Sequence, residues 1–398
     1  MPVHSRLKIS AFIIFALLII DAHCQPQFSD SIITGAEQTE VYFPLLKGKN
    51  VALIANQSSL IKQTHLVDTL LHSHINIVKI FCPEHGFRGV ADAGKTIGNT
   101  KDAKTGLPII SLYGKHKKPT VPDLQNIDIV VFDIQDVGVR FYTYISTLHF
   151  VMEACAENHL PLVVLDRPNP NGFYVDGPVL DTAVKSFVGM HPVPIVHGMT
   201  IGEYALMING QKWLTNKIQC DISVITCKNY NHKTLYKLPV KPSPNLPNIK
   251  SVLLYPSLGL FEGTVVSVGR GTNSPFQIFG HPQYKKADFK FTPTSTQGAT
   301  NPKYKGELCK GVDLRSLGLE KLISKKQIDL QYLIDAYSTL HKKTTFFNNY
   351  FYKLAGEKTL QQQITNGLPQ EQIRASWQTK ITNFKKIRKQ YLLYPDFE

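Results

Sequence analysis

The sequence is short of cysteine and lacks the common nucleotide-binding motifs. Six of the 398 residues are cysteine; without Cys24, which lies in a segment predicted to be removed, an odd five remain and give no disulfide framework. No G-x-G-x-x-G, Walker A or G-x-S-x-G motif occurs, which argues against a dinucleotide, a P-loop nucleotide or a serine-hydrolase elbow. Cys82 and His85 have no second pair to complete a metal site. We therefore predict neither cofactor nor metal.

The first 24 residues are unlike the rest of the chain. A basic start precedes the apolar residues 9–20, which are too few to span a membrane and are typical of a secretory signal. We expect cleavage after Cys24, giving a periplasmic or secreted protein with no stable membrane insertion. A lipoprotein anchored at Cys24 is the alternative, although Asp21 and His23 are unlike the small residues that such sites prefer.

The charge balance is strongly basic, with a formal net charge of +14. A basic exported protein suits an anionic partner such as a cell wall or an acidic glycan. No zinc finger or aromatic RNA-binding signature accompanies the lysines, so nucleic acid is not expected as a partner. The apolar content of 43% and charged content of 19% are ordinary for a globular protein and permit a sizeable core.

Short apolar runs alternate with helical patterns through the first half of the chain. Continuous apolar strands between helices indicate a parallel sheet covered on both faces. We therefore predict an α/β fold, with a Rossmann-like, doubly wound, mostly parallel sheet and a second, smaller α/β domain. The composition shift near residues 280–300 places a catalytic domain at residues 25–285 and an auxiliary domain at 286–398. The predicted strands are residues 51–55, 75–81, 107–113, 127–134, 162–165 and 221–225, and the predicted helices are 65–72, 142–158, 200–209 and, in the second domain, 316–339.

Polar side chains follow almost every predicted strand. Open parallel sheets bind ligands at the carboxyl ends of their strands, so these side chains predict a polar crevice. The residues at the strand ends are Asn56, Glu84, His85, Tyr113, Asp136, Arg140, Tyr142, Asp166, Arg167 and Asn169.

Glu84 is the first candidate for catalysis. It lies between Pro83, which fixes the chain direction, and the pair His85-Gly86, where glycine permits an unusual backbone angle. A carboxyl group at an apolar strand end can act as a general acid. A glutamate that braces the loop is the alternative, and His85 is open to the same two interpretations.

Other charged residues lie in glycine-rich or long loops. The loop over residues 87–105 contains Arg88 and Asp92 and is long for a connection between a strand and a helix. Arg140 at a helix start is suited to bind a carboxylate, or else forms a salt bridge to Asp136. Glu262 and Arg270 lie among glycines, where a structural turn is the alternative interpretation.

An ordered series of segments resembles the NamZ (YbbC-like) family of exo-β-N-acetylmuramidases, formerly a family of unknown function. The resemblance runs from about Gly35 to the C-terminus, although Cys82 replaces the small hydroxyl residue typical of the family and Asn171-Gly172 replaces a more glycine-rich turn. The segments are FCPEHGFRG (81–89), ADAG (91–94), LYG (112–114), FDIQDVGVRFYTY (132–144), LDRPNP (165–170), VHGMT (196–200), PSPN (242–245), FEGT (261–264) and SVGRGT (267–272).

The resemblance implies a function and a set of site residues. It implies removal of terminal β-1,4-linked N-acetylmuramic acid from the non-reducing end of peptidoglycan fragments, in a cleft between a Rossmann-like domain and a smaller α/β domain. The family's proposed catalytic glutamate falls on Glu84, and Asp92, Asp136 and Glu262 are the candidates for a second carboxylate. Arg140, Arg167 and Arg270 are candidates for binding the lactyl carboxylate of muramic acid. The further candidates for binding substrate are Asn56, His85, Arg88, Tyr142, Asp166, Asn169 and Asn245.

Two alternatives to this function stay open. One is an exo-hexosaminidase that acts on another amino sugar. The other is a non-catalytic protein that binds cell-wall glycan and has no need of Glu84.

Overall fold

The computed structural model describes residues 27–29, 31–87, 100–285, 287–342 and 344–398. The predicted signal peptide, Arg88 and Asp92 therefore lie outside the described residues. In the described residues the strands are β1 (Val51–Ala55), β2 (Leu60–Ile61), β3 (Thr64–His65), β4 (Ile77–Cys82), β5 (Thr100–Lys101), β6 (Pro108–Ser111), β7 (Ile129–Asp133), β8 (Leu162–Leu165), β9 (Ile222–Ile225), β10 (Ile278–His281), β11 (Phe289–Phe291) and β12 (Cys309–Asp313).

The helices follow the strands along the chain. In the described residues they are α1 (Thr39–Leu46), α2 (Leu66–His72), α3 (Tyr144–Glu157), α4 (Ile201–Gly210), α5 (Ile249–Leu258), α6 (Leu319–Lys325), α7 (Gln331–Leu340), α8 (Phe351–Ala355), α9 (Thr359–Thr365), α10 (Gln370–Ala375) and α11 (Gln378–Arg388). None of these described helices is long and apolar enough to cross a membrane.

The central sheet has the order β5-β6-β4-β1-β7-β8-β9. All its pairings are parallel except that of the edge strand β5. When the six parallel strands are numbered along the chain, their order is 3-2-1-4-5-6, the order of the doubly wound dinucleotide-binding folds. The predicted fold class is confirmed. The order reverses between β1 and β7, which opens a crevice at their carboxyl ends.

Two apolar cores cover the two faces of this sheet. In β1, Ala52 and Ile54 belong to one core, whereas Val51, Leu53 and Ala55 belong to the other. The side chains of a strand alternate between faces, so a strand buried on both sides must be apolar at every position. That requirement explains the continuous apolar runs from which the sequence predicts these strands.

The second unit is a three-stranded sheet of order β10-β12-β11 with the C-terminal helices. Its side chains Phe279, Phe351 and Trp377 join the same buried core as Phe132 of the central sheet. The small sheet already begins at Ile278, and the boundary near residue 285 stays a prediction. The single helical pattern predicted over residues 316–339 is wrong in one respect: the helix is broken into α6 and α7, because Lys326 takes a left-handed backbone with φ +45°.

Candidate functional site

A cavity of about 270 Å³ lies at the carboxyl ends of the central strands. Glu84 and His85 come from the end of β4, Tyr113 follows β6, and Tyr142 lies between β7 and α3. The rest of the wall comes from residues 141–144, from residues 187–188 before α4, and from residues after α4. The other lining residues are Phe141, Thr143, Tyr144, Phe187, Val188, Ser243, Asn245, Leu246, Tyr255, Glu262, Arg270, Phe276 and Tyr350.

A tight turn presents Glu84 to the cavity. His85 has φ +71° and Gly86 has φ +75°, and the Gly86 N–H donates to the carbonyl oxygen of Pro83 at 3.1 Å. A left-handed backbone is rare outside glycine, and at a non-glycine residue it often marks a functional turn. The sequence anticipates the role of Gly86 but not the strained backbone of His85.

Hydroxyl groups surround the carboxyl group of Glu84, which is half-buried. Thr143 Oγ1 donates to Glu84 Oε2 at 3.1 Å. Burial raises the pKa of Tyr113, and the neighbouring Glu84 raises it further through its charge and a side-chain hydrogen bond. These contacts fix the direction of the carboxyl group.

Glu262 lies in the same cavity and is bound by Arg270. Arg270 Nε donates to Glu262 Oε1 at 2.8 Å, and a second guanidinium nitrogen lies 2.7 Å from the same oxygen. The guanidinium also lies 5.1 Å from the ring centre of Phe276. Burial lowers the pKa of Arg270, but the charge and hydrogen bond of Glu262, together with the nearby Tyr255 and Glu84, raise it overall. Arg270 is therefore a permanent cation whose charge is already paired.

Glycines on both sides of Arg270 shape its loop. Gly269 has φ +75° and Gly271 has φ +80°, so both need a backbone that side chains disfavour. Gly263, next to Glu262, packs so tightly that a Cβ atom would come within 2.4 Å of the Phe351 backbone. The glycine-rich setting noted in the sequence thus serves to bring Glu262 and Arg270 to the cavity.

Aromatic rings form most of the remaining wall. The rings of Tyr142 and Tyr144 meet edge to face with centroids 4.7 Å apart, and both hydroxyls donate to the Pro242 carbonyl oxygen, at 2.9 and 3.4 Å. Asn245 is buried, with Nδ2 donating to the carbonyl oxygen of Gly298 at 2.8 Å. Such apolar walls with a few placed polar groups are typical of small-ligand sites.

Arg140 lies away from the cavity, fully buried. Its Nη1 donates to the carbonyl oxygens of Pro178 and Val193, each at 2.7 Å. Its Nη2 donates to those of Leu354 and Ala355, at 2.9 and 2.7 Å. The guanidinium ties α8 to the central domain, so the structure supports neither a substrate carboxylate nor a salt bridge to Asp136 as its partner.

Asp166 and Arg167 also make structural contacts and do not line the cavity. Arg167 forms a two-point ion pair with Asp133, with nitrogen–oxygen distances of 2.6 and 2.9 Å, and borders a separate cleft. Asp166 accepts hydrogen bonds from Thr200 at the start of α4, at 2.7 Å, and from the Tyr394 hydroxyl, at 2.5 Å. Asp166 therefore fastens the C-terminal segment to the sheet.

Three more predicted site residues brace loops behind the cavity. The amide oxygen of Asn56 accepts a hydrogen bond from Ser58 Oγ at 2.6 Å, and Asn169 Nδ2 donates to the Met199 carbonyl oxygen at 2.9 Å. Asp136 Oδ2 accepts the Gly138 N–H at 2.6 Å, and burial raises its pKa to about 7. Of the predicted site residues, the cavity thus brings together Glu84, His85, Tyr142, Asn245, Glu262 and Arg270.

Two kinds of cavity residue were not predicted from the sequence. Tyr113 and Tyr144 belong to segments noted in the sequence, but neither was named as a catalytic or substrate-binding residue. Phe187, Tyr255 and Tyr350 come from segments without any motif, so only their three-dimensional placement reveals them.

Two carboxyl groups among aromatic rings, at the carboxyl end of a doubly wound sheet, define a site of the glycoside hydrolase type. The chain belongs to the NamZ family, since the model "Exo-beta-N-acetylmuramidase NamZ, N-terminal" matches residues 51–250 and its C-terminal counterpart matches residues 253–394. These matches meet upstream of the domain boundary predicted near residue 285.

Relatives of known name or structure agree with this membership. The chain is 40% identical over 372 residues to the peptidoglycan beta-N-acetylmuramidase NamZ of Bacillus subtilis, covering 89% of each chain. It resembles the crystal structure of a DUF1343 family protein from Bacteroides fragilis with a TM-score of 0.86 and 50% identity, over 92% of this chain and all of that one. A second DUF1343 protein of the same organism gives a TM-score of 0.75 at 30% identity, over 91% of this chain and 99% of that one.

Proposed function

We propose that this chain is an exo-β-N-acetylmuramidase that releases terminal β-1,4-linked N-acetylmuramic acid from the non-reducing end of peptidoglycan fragments. The observation that carries the proposal is the meeting of Glu84 and Glu262 in one aromatic-walled cavity, in a chain of the NamZ family. The volume of about 270 Å³ lies just below the usual range for ligand pockets. It suits one sugar ring, as removal of single terminal residues requires.

Glu84 is the general acid in this mechanism. Cleavage of a glycosidic bond requires a proton on the leaving oxygen while positive charge develops at the anomeric carbon. The hydroxyls of Thr143 and Tyr113 hold the Glu84 carboxyl group in position. Glu262 is the carboxylate that supports the developing charge or activates water. Arg270 keeps Glu262 oriented through their contact at 2.8 Å.

The proposed setting is cell-wall turnover or recycling outside the cytoplasm. The basic and then apolar order of the first 24 residues supports export. The net charge of +14 favours an anionic wall. We propose a mature chain that begins near Gln25 and acts in the periplasm or after secretion.

Product analysis on a defined disaccharide tests this function. The mature protein should split N-acetylmuramyl-β-1,4-N-acetylglucosamine into its two sugars, and proton NMR of the first product should report its anomeric form. The nitrophenyl β-glycosides of N-acetylmuramic acid and N-acetylglucosamine, assayed side by side, identify the preferred sugar. Faster cleavage of the glucosaminide would favour the hexosaminidase alternative. Tight binding of the disaccharide without cleavage would favour a glycan-binding protein.

A further inference from the structure

A second, more open cavity of about 430 Å³ adjoins the mouth of the first. The two share walls that include Tyr113, Phe187 and Tyr350. Beyond these rings, the second cavity is lined by Lys117 and Lys353. We call Lys117, Phe187 and Lys353 the lysine shelf. Any group that protrudes from a sugar in the first cavity toward this mouth meets the shelf.

The shelf carries two ammonium groups, those of Lys117 and Lys353. Among the residues that the structure describes, no carboxylate forms a salt bridge with Lys117 or Lys353. The neighbouring Lys118, in contrast, lies 2.8 Å from Glu153 and 2.7 Å from Glu157. Lys117 Nζ lies 4.9 Å from the ring centre of Phe187, which holds a cation over the shelf by a cation–π contact.

Rigid local structure fixes the ring beneath Lys117. Phe187 lies in a tight turn closed by paired backbone hydrogen bonds between Ser186 and Gly189, at 2.9 and 3.0 Å. The Ser146 hydroxyl on α3 donates to the Phe187 carbonyl oxygen at 2.7 Å. A preformed surface loses little entropy when a ligand binds to it.

Lys353 is held on the other side by the second unit of the protein. It lies in α8, whose Phe351 and Leu354 are buried, and the carbonyl oxygen of Leu354 accepts a hydrogen bond from Arg140. The shelf therefore combines one cation from the central domain with one from the C-terminal unit. Lys353 carries its charge on a helix, and Lys117 carries its charge over the fixed ring of Phe187.

We propose that Lys117 and Lys353 bind a carboxylate of the substrate and so select muramic acid over glucosamine. The inference rests on the proposed function. Muramic acid differs from glucosamine by a lactyl ether, whose carboxylate is free in the simple sugar and is replaced by the carboxylates of the stem peptide when a peptide is attached. Arg270 is less suited to this role, because Glu262 already pairs its charge. The two lysines, which have no salt bridge within the described part of the chain, offer the stronger attraction for an anion.

Steady-state kinetics of Lys117→Gln, Lys353→Gln and the double variant test the shelf. On substrates whose carboxylate reaches the shelf, the double variant should raise KM by about tenfold or more, the effect of losing one charged hydrogen bond. Its kcat should stay within about twofold, because the shelf lies outside the reacting groups. The charge-retaining Lys117→Arg and the exposed, neighbouring Lys115→Gln serve as controls and should leave KM near the wild-type value.

Two substrates distinguish the two sources of the carboxylate. If the lactyl group binds, KM rises on the nitrophenyl muramide. If the stem peptide binds, KM rises only on a peptide-bearing disaccharide. Cleavage of the glucosaminide should not change in either case. Unchanged KM values for both muramic substrates in the folded double variant would overturn the inference while leaving the proposed function intact.

Equilibrium binding tests whether the shelf binds a carboxylate even if the wild-type protein cleaves neither substrate. Calorimetry with free N-acetylmuramic acid and with a muramyl peptide should show tighter binding to the wild type than to the double variant for at least one of them. Affinity for N-acetylglucosamine should be the same in both proteins. Absence of turnover by the wild type would then reject the proposed function, whereas equal affinities of wild type and variant for both muramic ligands would reject the shelf.

Discussion

Arg270 binds Glu262 at 2.8 Å inside the cavity that also contains Glu84. The contacts of the two carboxyl groups differ: Glu84 accepts a hydrogen bond from the Thr143 hydroxyl, whereas the Arg270 guanidinium binds Glu262 through two nitrogens. Two carboxyl groups in unlike environments are the arrangement by which glycosidases divide the work between an acid and a charged carboxylate. The proposed mechanism assigns the acid to Glu84 and the charged carboxylate to Glu262, and variants of each test that assignment.

Glu262→Gln should lower kcat on the disaccharide and on the nitrophenyl muramide alike, by at least about 100-fold. Support for the positive charge, or activation of water, is needed whatever the leaving group is. The measurement is steady-state kinetics on both substrates, with the exposed Glu307→Gln as the matched control. Wild-type turnover by a folded Glu262→Gln protein would reassign the second role to another group.

Much of the fold follows directly from the sequence. The strands β1 and β8 have the predicted bounds, because a strand buried on both faces leaves an uninterrupted apolar run. The helix predicted over residues 200–209 is also present as α4, and the Thr200 side chain caps it by accepting the Glu203 N–H. The break between α6 and α7 was missed because Lys326, which has no special backbone preference, adopts the left-handed conformation there.

The candidate site was only partly predictable. Glu84 is recognisable as a candidate from its local sequence, because its neighbours Pro83 and Gly86 predict a turn. Arg140 looks equally suited to a ligand in the sequence, yet it binds the carbonyl of Leu354, a residue 214 positions away. A sequence pattern identifies a polar residue at a strand end but not its partner, so residues that brace loops and residues that bind ligands look alike.

Asp136→Asn should make the free energy of unfolding less sensitive to pH. Burial raises the pKa of Asp136 from 3.8 to about 7, so between these values the folded protein keeps a proton that the unfolded chain has lost. The wild type therefore loses stability as pH rises from about 4 to about 7, and this loss levels off above the folded pKa. Relative to the wild type, the variant should gain stability over that window.

Urea unfolding at several pH values measures this effect. At each pH, the free energy of unfolding of the wild type is subtracted from that of the variant. This subtraction removes the contributions of other buried acids, such as Asp166, because both proteins contain them. The exposed Asp288→Asn is the control and should follow the wild type. A variant curve parallel to that of the wild type from pH 4 to pH 7 would show that Asp136 keeps its ordinary ionisation in the fold.

Arg140→Lys should destabilise the protein by at least about 3 kcal/mol, since buried carbonyl groups that lose their donors each cost about 1–3 kcal/mol. Lysine has one ammonium group and cannot reproduce the planar fork that reaches four carbonyl oxygens. The midpoint of urea unfolding gives the change. Arg315→Lys on the half-exposed pair with Asp313 is the matched control and should shift the midpoint little. An equal midpoint for both variants would contradict the structural role of Arg140.

The exported chain should begin near Gln25. Expression of the full sequence with its own first 24 residues, followed by intact-mass analysis of the exported protein, should show the mass of residues 25–398. A chain that starts at a lipid-modified Cys24 would instead establish the anchored form. Retention of Met1 in the cytoplasm would contradict export altogether.

Glu84→Gln should fold normally, bind N-acetylmuramic acid and lose activity on the disaccharide by about 10²–10⁴-fold, the usual contribution of general acid–base catalysis. Glutamine keeps the size of the side chain and still accepts the Thr143 hydrogen bond, but it has no proton to give to the leaving oxygen. The loss should be much smaller on the nitrophenyl muramide, because nitrophenolate leaves readily without protonation. This contrast separates Glu84 from Glu262, whose replacement should impair cleavage of both substrates to a similar extent.

The exposed Glu40→Gln controls for the loss of a negative charge as such. Equal losses on the two substrates in Glu84→Gln would remove Glu84 from the role of general acid, and near-wild-type cleavage of the disaccharide would remove it from the mechanism.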